Sequence, residues 1–133
     1  MSSRVVVDTN VIVSAGVWRD STPGKALRKV LASRILLVNQ TMIEEMLDVF
    51  HRPKFERYST PEARKNFLGL LLAKAEIVAT ATRITACRDP RDNHVLEAAV
   101  NGAADLIITG DEDLLALNPF HDVRILTPTD YLK

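Results

Sequence analysis

Three consecutive valines, Val5-Val6-Val7, stand almost at the start of the chain and limit its fold more than any other stretch. β-Branched side chains at successive positions favour extended backbone, and an apolar residue on each face demands burial from both sides. Such a segment belongs in the middle of a parallel sheet. It runs into Asp8-Thr9-Asn10 before the apolar pattern resumes at Val11-Ile12-Val13. Ligands of open α/β sheets bind at the carboxyl ends of the strands, which puts Asp8 where chemistry is expected. A turn in which Asp8 and Asn10 bond their own backbone is the competing reading.

Further along, strands and helices alternate. Ser21-Thr22-Pro23 gives a hydroxyl cap and an early proline, and Ala26, Leu27, Val30 and Leu31 follow at helical spacing. Ile35 to Val38 reads as a second buried strand. Thr41 opens a helix carrying Met42, Ile43, Met46, Leu47, Val49 and Phe50, which stops before Pro53. A basic loop from His51 to Arg57 leads to Thr60-Pro61, which starts a helix with Phe67, Leu68, Leu71 and Leu72. Ile77-Val78 is a short third strand, and residues 79–88 have no period. Asp89-Pro90-Arg91-Asp92 begins a helix closed by Asn101-Gly102. Leu106 to Thr109 is a strand, Gly110-Asp111 turns it into a short helix, and Val123 to Leu126 is the last strand before the cap at Thr127-Pro128. This alternation predicts one α/β domain over residues 1–133, a central parallel sheet flanked by helices and joined by right-handed crossovers.

Composition removes several classes of function. A net charge of +0 gives no overall basic field, so any contact with nucleic acid rests on a local patch. Aromatics at 5% speak against base stacking as the main mode of recognition. Cys87 is the only cysteine, which excludes an intrachain disulfide and fits a reducing compartment. No apolar run approaches the roughly 18 residues of a membrane span, and no leader-like segment precedes the first strand. A cytoplasmic protein without a membrane partner is the expectation.

The chemistry lies in carboxylates. Asp8 and Asp111 each follow a strand, and central parallel strands would bring them to one edge of the sheet. Asp92 shares a helical face with Leu96, Ala99 and Ala103, where an uncompensated carboxylate is expensive. Asp89, before Pro90, is explained as a cap. Of the adjacent Glu44 and Glu45, Glu45 lies slightly nearer the apolar arc. Several carboxylates in one pocket repel one another unless some stay protonated or a cation sits among them. Oxygen-only ligands suit Mg²⁺ or Mn²⁺, and a carboxylate-held metal supports hydrolysis of a phosphate ester.

Val-Val-Asp-Thr-Asn-Val at the start, Asp89-Pro90-Arg91-Asp92-Asn93 and Ile108-Thr109-Gly110-Asp111, in that order and spacing, resemble a PIN domain across essentially the whole chain. Arg52-Pro53-Lys54-Phe55 and the Asp-Pro-x-Asp-Asn segment are similar to the branch of toxin ribonucleases from toxin–antitoxin systems. The resemblance implies a Mg²⁺- or Mn²⁺-dependent endoribonuclease with Asp8, Glu45, Asp92 and Asp111 as catalytic and metal-binding residues. Asn10, Thr109, Asp113 and Asp89 would support them. RNA is then the substrate, an antitoxin protein a partner, and a homodimer an assembly to test for.

Basic residues suited to RNA phosphates are Arg88 and Arg91, which flank the acids in sequence, and Arg52 and Lys54, whose other reading is a solvated loop. Trp18 reads as a packing residue or as cover for a dimer or partner surface. Two other functions are weighed. An aspartate-nucleophile phosphatase wants a second Asp where Asn10 stands and a lysine late in the chain, and none lies between Ala98 and Asp130. A catalytically silent RNA- or protein-binding module has no use for all four acids.

Overall fold

The computed structural model describes residues 3–87 and 89–133. Five strands form one all-parallel sheet: β1 (Arg4–Val7), β2 (Ile35–Val38), β3 (Glu76–Ile77), β4 (Leu106–Ile108) and β5 (Arg124–Leu126). Their order is β3-β2-β1-β4-β5. Val5 and Val6 pair with β2 on one side and β4 on the other, Val7 pairs with β4, and all three are buried. Winding proceeds outward from β1 through β2 to β3, then returns to place β4 against the other side of β1. The two directions diverge between β1 and β4, which is where open parallel sheets form their binding crevice.

Seven α-helices are present among the described residues: α1 (Thr9–Val17), α2 (Thr22–Ser33), α3 (Gln40–Phe50), α4 (Pro61–Lys74), α5 (Asn93–Asn101), α6 (Glu112–Leu115) and α7 (Pro128–Leu132). Ser21, Thr60 and Thr127 cap α2, α4 and α7 with their hydroxyls, each followed closely by proline, as the sequence indicates.

Elsewhere the structure differs from the sequence reading. The stretch after Asp8, to which the sequence pattern assigns no element, is a helix, α1. Val11, Ile12 and Val13 are individually weak helix formers, but burial of all three against the core overrides that small propensity. Asn39, and not Thr41, caps α3, its Oδ1 accepting from Met42 N at 3.0 Å. The third strand sits one residue earlier, at Glu76–Ile77. Asp92 belongs to a 3-10 turn over Pro90–Asp92 ahead of α5, so it does not share the helical stripe of Leu96 and Ala99.

At the end of α5 the left-handed residue is Ala103 (φ 54°), while Gly102 has φ −94°. Glycine is needed at 102 for a different reason. A Cβ there would lie 2.8 Å from both the Ala98 carbonyl oxygen and Leu37 Cδ1, so this residue lets α5 close onto β2.

The irregular crossover between β3 and α5 is held by one face of α5. Asn93, Glu97 and Asn101 recur every four residues. Their side-chain oxygens accept from the backbone N–H groups of Cys87 (2.8 Å), Ile84 (3.0 Å) and Thr82 (2.9 Å). Polar side chains thus supply the partners that a segment without regular structure would otherwise lack.

A candidate acidic metal centre

Asp8 ends β1 and caps α1. Its Oδ1 accepts from Asn10 N at 3.3 Å, and its Oδ2 accepts from the Thr109 hydroxyl at 2.7 Å. Thr109 follows β4 and is fully buried. The same hydroxyl oxygen accepts from Asp111 N at 3.0 Å, so one side chain fixes the carboxylate of one acid and the backbone of the other. Asp111 in turn caps α6, with Oδ1 accepting from Asp113 N at 2.8 Å. Both capping turns arise where apolar strands end in a short acceptor, and both aim the carboxylates into the β1–β4 crevice.

Asp92 completes the group from the 3-10 turn ahead of α5. Ligand atoms of Asp92, Asp111 and Asp113 lie within 4.8 Å of one another. Burial, then a hydrogen bond with Asp111, then the charges of Asp111, Asp8 and Asp89 raise the Asp92 carboxyl to about 7. Its Oδ2 is buried and makes no hydrogen bond. An orphaned carboxylate oxygen beside two further acids is what a hard divalent cation would satisfy, and the donor set is all oxygen. The residues present fit Mg²⁺ or Mn²⁺.

Glu45 is placed differently. It is half-buried on α3, while Glu44 is exposed and accepts from Gln40 Nε2 at 3.3 Å. Glu45 Oε2 lies 3.2 Å from His94 Nε2, an ion pair if the imidazole is protonated, although the contact lacks hydrogen-bond alignment. Together they line a groove of about 500 Å³ with Thr41, Arg83, Asn93 and Glu97. The structure therefore gathers Asp92, Asp111 and Asp113 most tightly, sets Asp8 beside them through Thr109, and leaves Glu45 on the wall of the adjoining groove.

Of the remaining expected residues, Asn10 is exposed in the first turn of α1, and Asp89 precedes the 3-10 turn and contributes its charge to the Asp92 shift. Arg52 and Lys54 are exposed on the α3–α4 connection, Arg52 bound to Asp48 at 3.2 Å. Arg88 and the side chain of Arg91 lie outside the described residues.

Sequence reasoning did not single out His94, Arg83 or Asn39. Asn39 links the two helices of the groove, its Nδ2 donating to the His94 carbonyl at 2.9 Å. An asparagine directly after a buried strand was the available signal for it.

An all-parallel sheet with acids converging at its switch point defines a class of α/β proteins with an acidic crevice at the carboxyl ends of the strands. The family model for the PIN domain matches residues 4–113, and the chain belongs to the PIN-domain family. It is 29% identical to the uncharacterized protein MJ1680 of Methanocaldococcus jannaschii, over 98% of this chain and 90% of that protein. Two solved structures share the fold. One is VapBC2 from Rickettsia felis bound to a DNA fragment from their promoter, with a TM-score of 0.62 and 11% identity over 93% of this chain and 98% of that one. The other is PAE2754 from Pyrobaculum aerophilum, with a TM-score of 0.62 and 14% identity over 98% of this chain and 88% of that one. Among the described residues, no helix is long and apolar enough to cross a membrane.

Proposed function

We propose that the protein is a Mg²⁺- or Mn²⁺-dependent endoribonuclease acting in the cytoplasm as the toxin of a toxin–antitoxin pair. The observation that carries the reading is the orphaned Oδ2 of Asp92 beside Asp111 and Asp113, with Asp8 alongside. A divalent cation held there supplies Lewis acidity toward a phosphate and lowers the pKa of a water.

The chain's own residues do the rest. Asp8, Asp92, Asp111 and Asp113 hold the cation, and Thr109 keeps Asp8 and Asp111 in register. Glu45 orients water from the groove wall, its carboxylate steadied by His94. Asn10 is exposed two residues after Asp8, while Arg83, Arg52 and Lys54 offer charge to the flanking phosphates. His51 and His121 are exposed, and His94 faces Glu45, so two histidines are not poised as an acid–base pair across a ribose 2′-hydroxyl. Water is then the nucleophile, and cleavage leaves a 5′-phosphate and a free 3′-hydroxyl.

End-labelled RNA incubated with Mn²⁺ and with EDTA tests this. Cleavage only with the cation, and about 100-fold less by Asp111→Asn, is expected. A 2′,3′-cyclic phosphate or undiminished cleavage in EDTA overturns the reading. The toxin assignment draws support from the fold shared with a protein solved as a VapBC pair. It requires that expression of the chain alone arrest growth and that Asp111→Asn not do so.

A further inference from the structure

Away from the acids, Trp18 (44% exposed) and Tyr58 (55% exposed) pack against each other at a tilt, with ring centroids 5.4 Å apart and ring planes at 58°. Buried Phe55 meets Trp18 edge-on at 6.4 Å and forms the base of the cluster. Both exposed rings are carried on fixed backbone. The Trp18 carbonyl accepts from the N–H and the hydroxyl of Ser21. Gly24 lets α2 press against the same turn, since a Cβ there would lie 2.1 Å from the Arg19 carbonyl oxygen. Tyr58 N donates to the Phe55 carbonyl at 3.0 Å, and buried Arg64 reaches the next carbonyl, that of Ser59, at 2.7 Å. Two large rings held this rigidly in solvent lose little conformational entropy on binding.

Cations surround them. Lys54 Nζ lies 5.1 Å from the Phe55 ring centre and the Arg57 guanidinium 5.9 Å from that of Tyr58. Among the described residues, Arg19, Lys54 and Arg57 form no ion pair. Segments 18–20 and 52–58 together carry four cationic residues against two acidic ones, on a chain of net charge +0. Exposed rings among unpaired cations are the combination that binds unpaired nucleic acid, because every base has a π-face and every linkage a negative charge. A second copy of the chain fits poorly. A two-fold contact here would set these cations against their own equivalents.

We infer that Trp18 and Tyr58 form a stacking platform for an unpaired base of the RNA strand, with Lys54 and Arg57 on the flanking phosphates. The inference rests on the proposed ribonuclease function. The nine-residue helix α1 begins at the Asp8 cap and ends beside Trp18, a length of about 14 Å. The platform therefore receives a base a few nucleotides from the scissile phosphate, and selects single-stranded over paired RNA.

Trp18 is the only tryptophan, so its fluorescence reports the event directly. The full chain is titrated in EDTA with a single-stranded oligouridylate and with a fully paired RNA hairpin. Quenching by the single strand that weakens with salt, and little response to the hairpin, is expected. Tyr58→Ala should weaken binding about ten-fold, Tyr58→Phe should restore it, and thermal melts should show both variants folded. Trp18→Leu, followed by anisotropy of a labelled strand, should lose a similar factor. Binding that leaves Trp18 fluorescence unchanged, or that Tyr58→Ala does not weaken, overturns the platform. A signal that follows protein concentration instead of RNA assigns the surface to a second copy and overturns it too. Because binding is read without a cation, cleavage with Mn²⁺ but no quenching removes the platform alone. Quenching without cleavage removes only the nuclease reading.

Discussion

Among the described residues, Asp92 has a carboxyl raised well above the usual carboxylate range by burial and by neighbouring acids. Its carboxyl holds its proton to about pH 7 in the folded chain, against an ordinary value of 3.8. Above the ordinary value the unfolded chain releases that proton while the folded chain keeps it, so folding takes up a proton. Stability contributed this way is therefore lost as pH rises from 3.8 toward 7 and stays lost above. Thermal melts in EDTA should show lower stability at about pH 8 than at about pH 5, and Asp92→Asn should flatten the difference by on the order of 2 kcal/mol. A second comparison separates neighbours on α3. Glu45→Gln should abolish RNA cleavage without changing the melt, and Glu44→Gln, on the exposed face, should leave the rate unchanged. Steady-state cleavage assays decide it, and the reverse pattern would move the role to Glu44. At this scale Asp8 and Asp111 were legible, because each follows an apolar run whose direction fixes where its end must lie. Asp113 was read as support and lies inside the cluster, since a four-residue helix such as α6 has no period from which to read a face. The approach of His94 to Glu45 depends on α3 meeting α5 across the sheet edge, which no local pattern encodes.

Among the elements, α5 does two jobs, packing Val95, Leu96 and Ala99 into the core and pinning the crossover with Asn93, Glu97 and Asn101. Gly102→Ala tests the first. The added methyl meets the Ala98 carbonyl and Leu37, so a loss of about 1–3 kcal/mol is expected in denaturant unfolding. β1, β2 and β4 were legible as buried apolar runs, and α2, α4 and α7 because apolar spacing, hydroxyl cap and proline agree in each. α1 was not, because its β-branched run carries the signature of a strand and only the sheet beneath it decides otherwise. The 3-10 turn at Pro90–Asp92 escaped for a related reason. Proline and a first-turn acid are the signals of an α-helix start, and they do not say how tightly the turn winds.

For the molecule as a whole, the proposed cation site would be coupled to the fold through mass action. Mn²⁺ at about 100 times its dissociation constant should stabilise the protein by about 2.7 kcal/mol, read as a rise in melting temperature. Asp8→Asn should remove most of that rise. The two halves of the crevice also have a history in time. Asp8 receives its hydroxyl partner from Thr109, 101 positions later in the chain. A ribosome making this protein emits Asp8 well before β4, Thr109 and Asp111. Until then β1 lacks its second neighbour, and Asp8 lacks the hydroxyl that fixes its carboxylate. Two strands that touch in the folded sheet are thus made far apart in time, and the crevice between them cannot exist before the second of them has been synthesised.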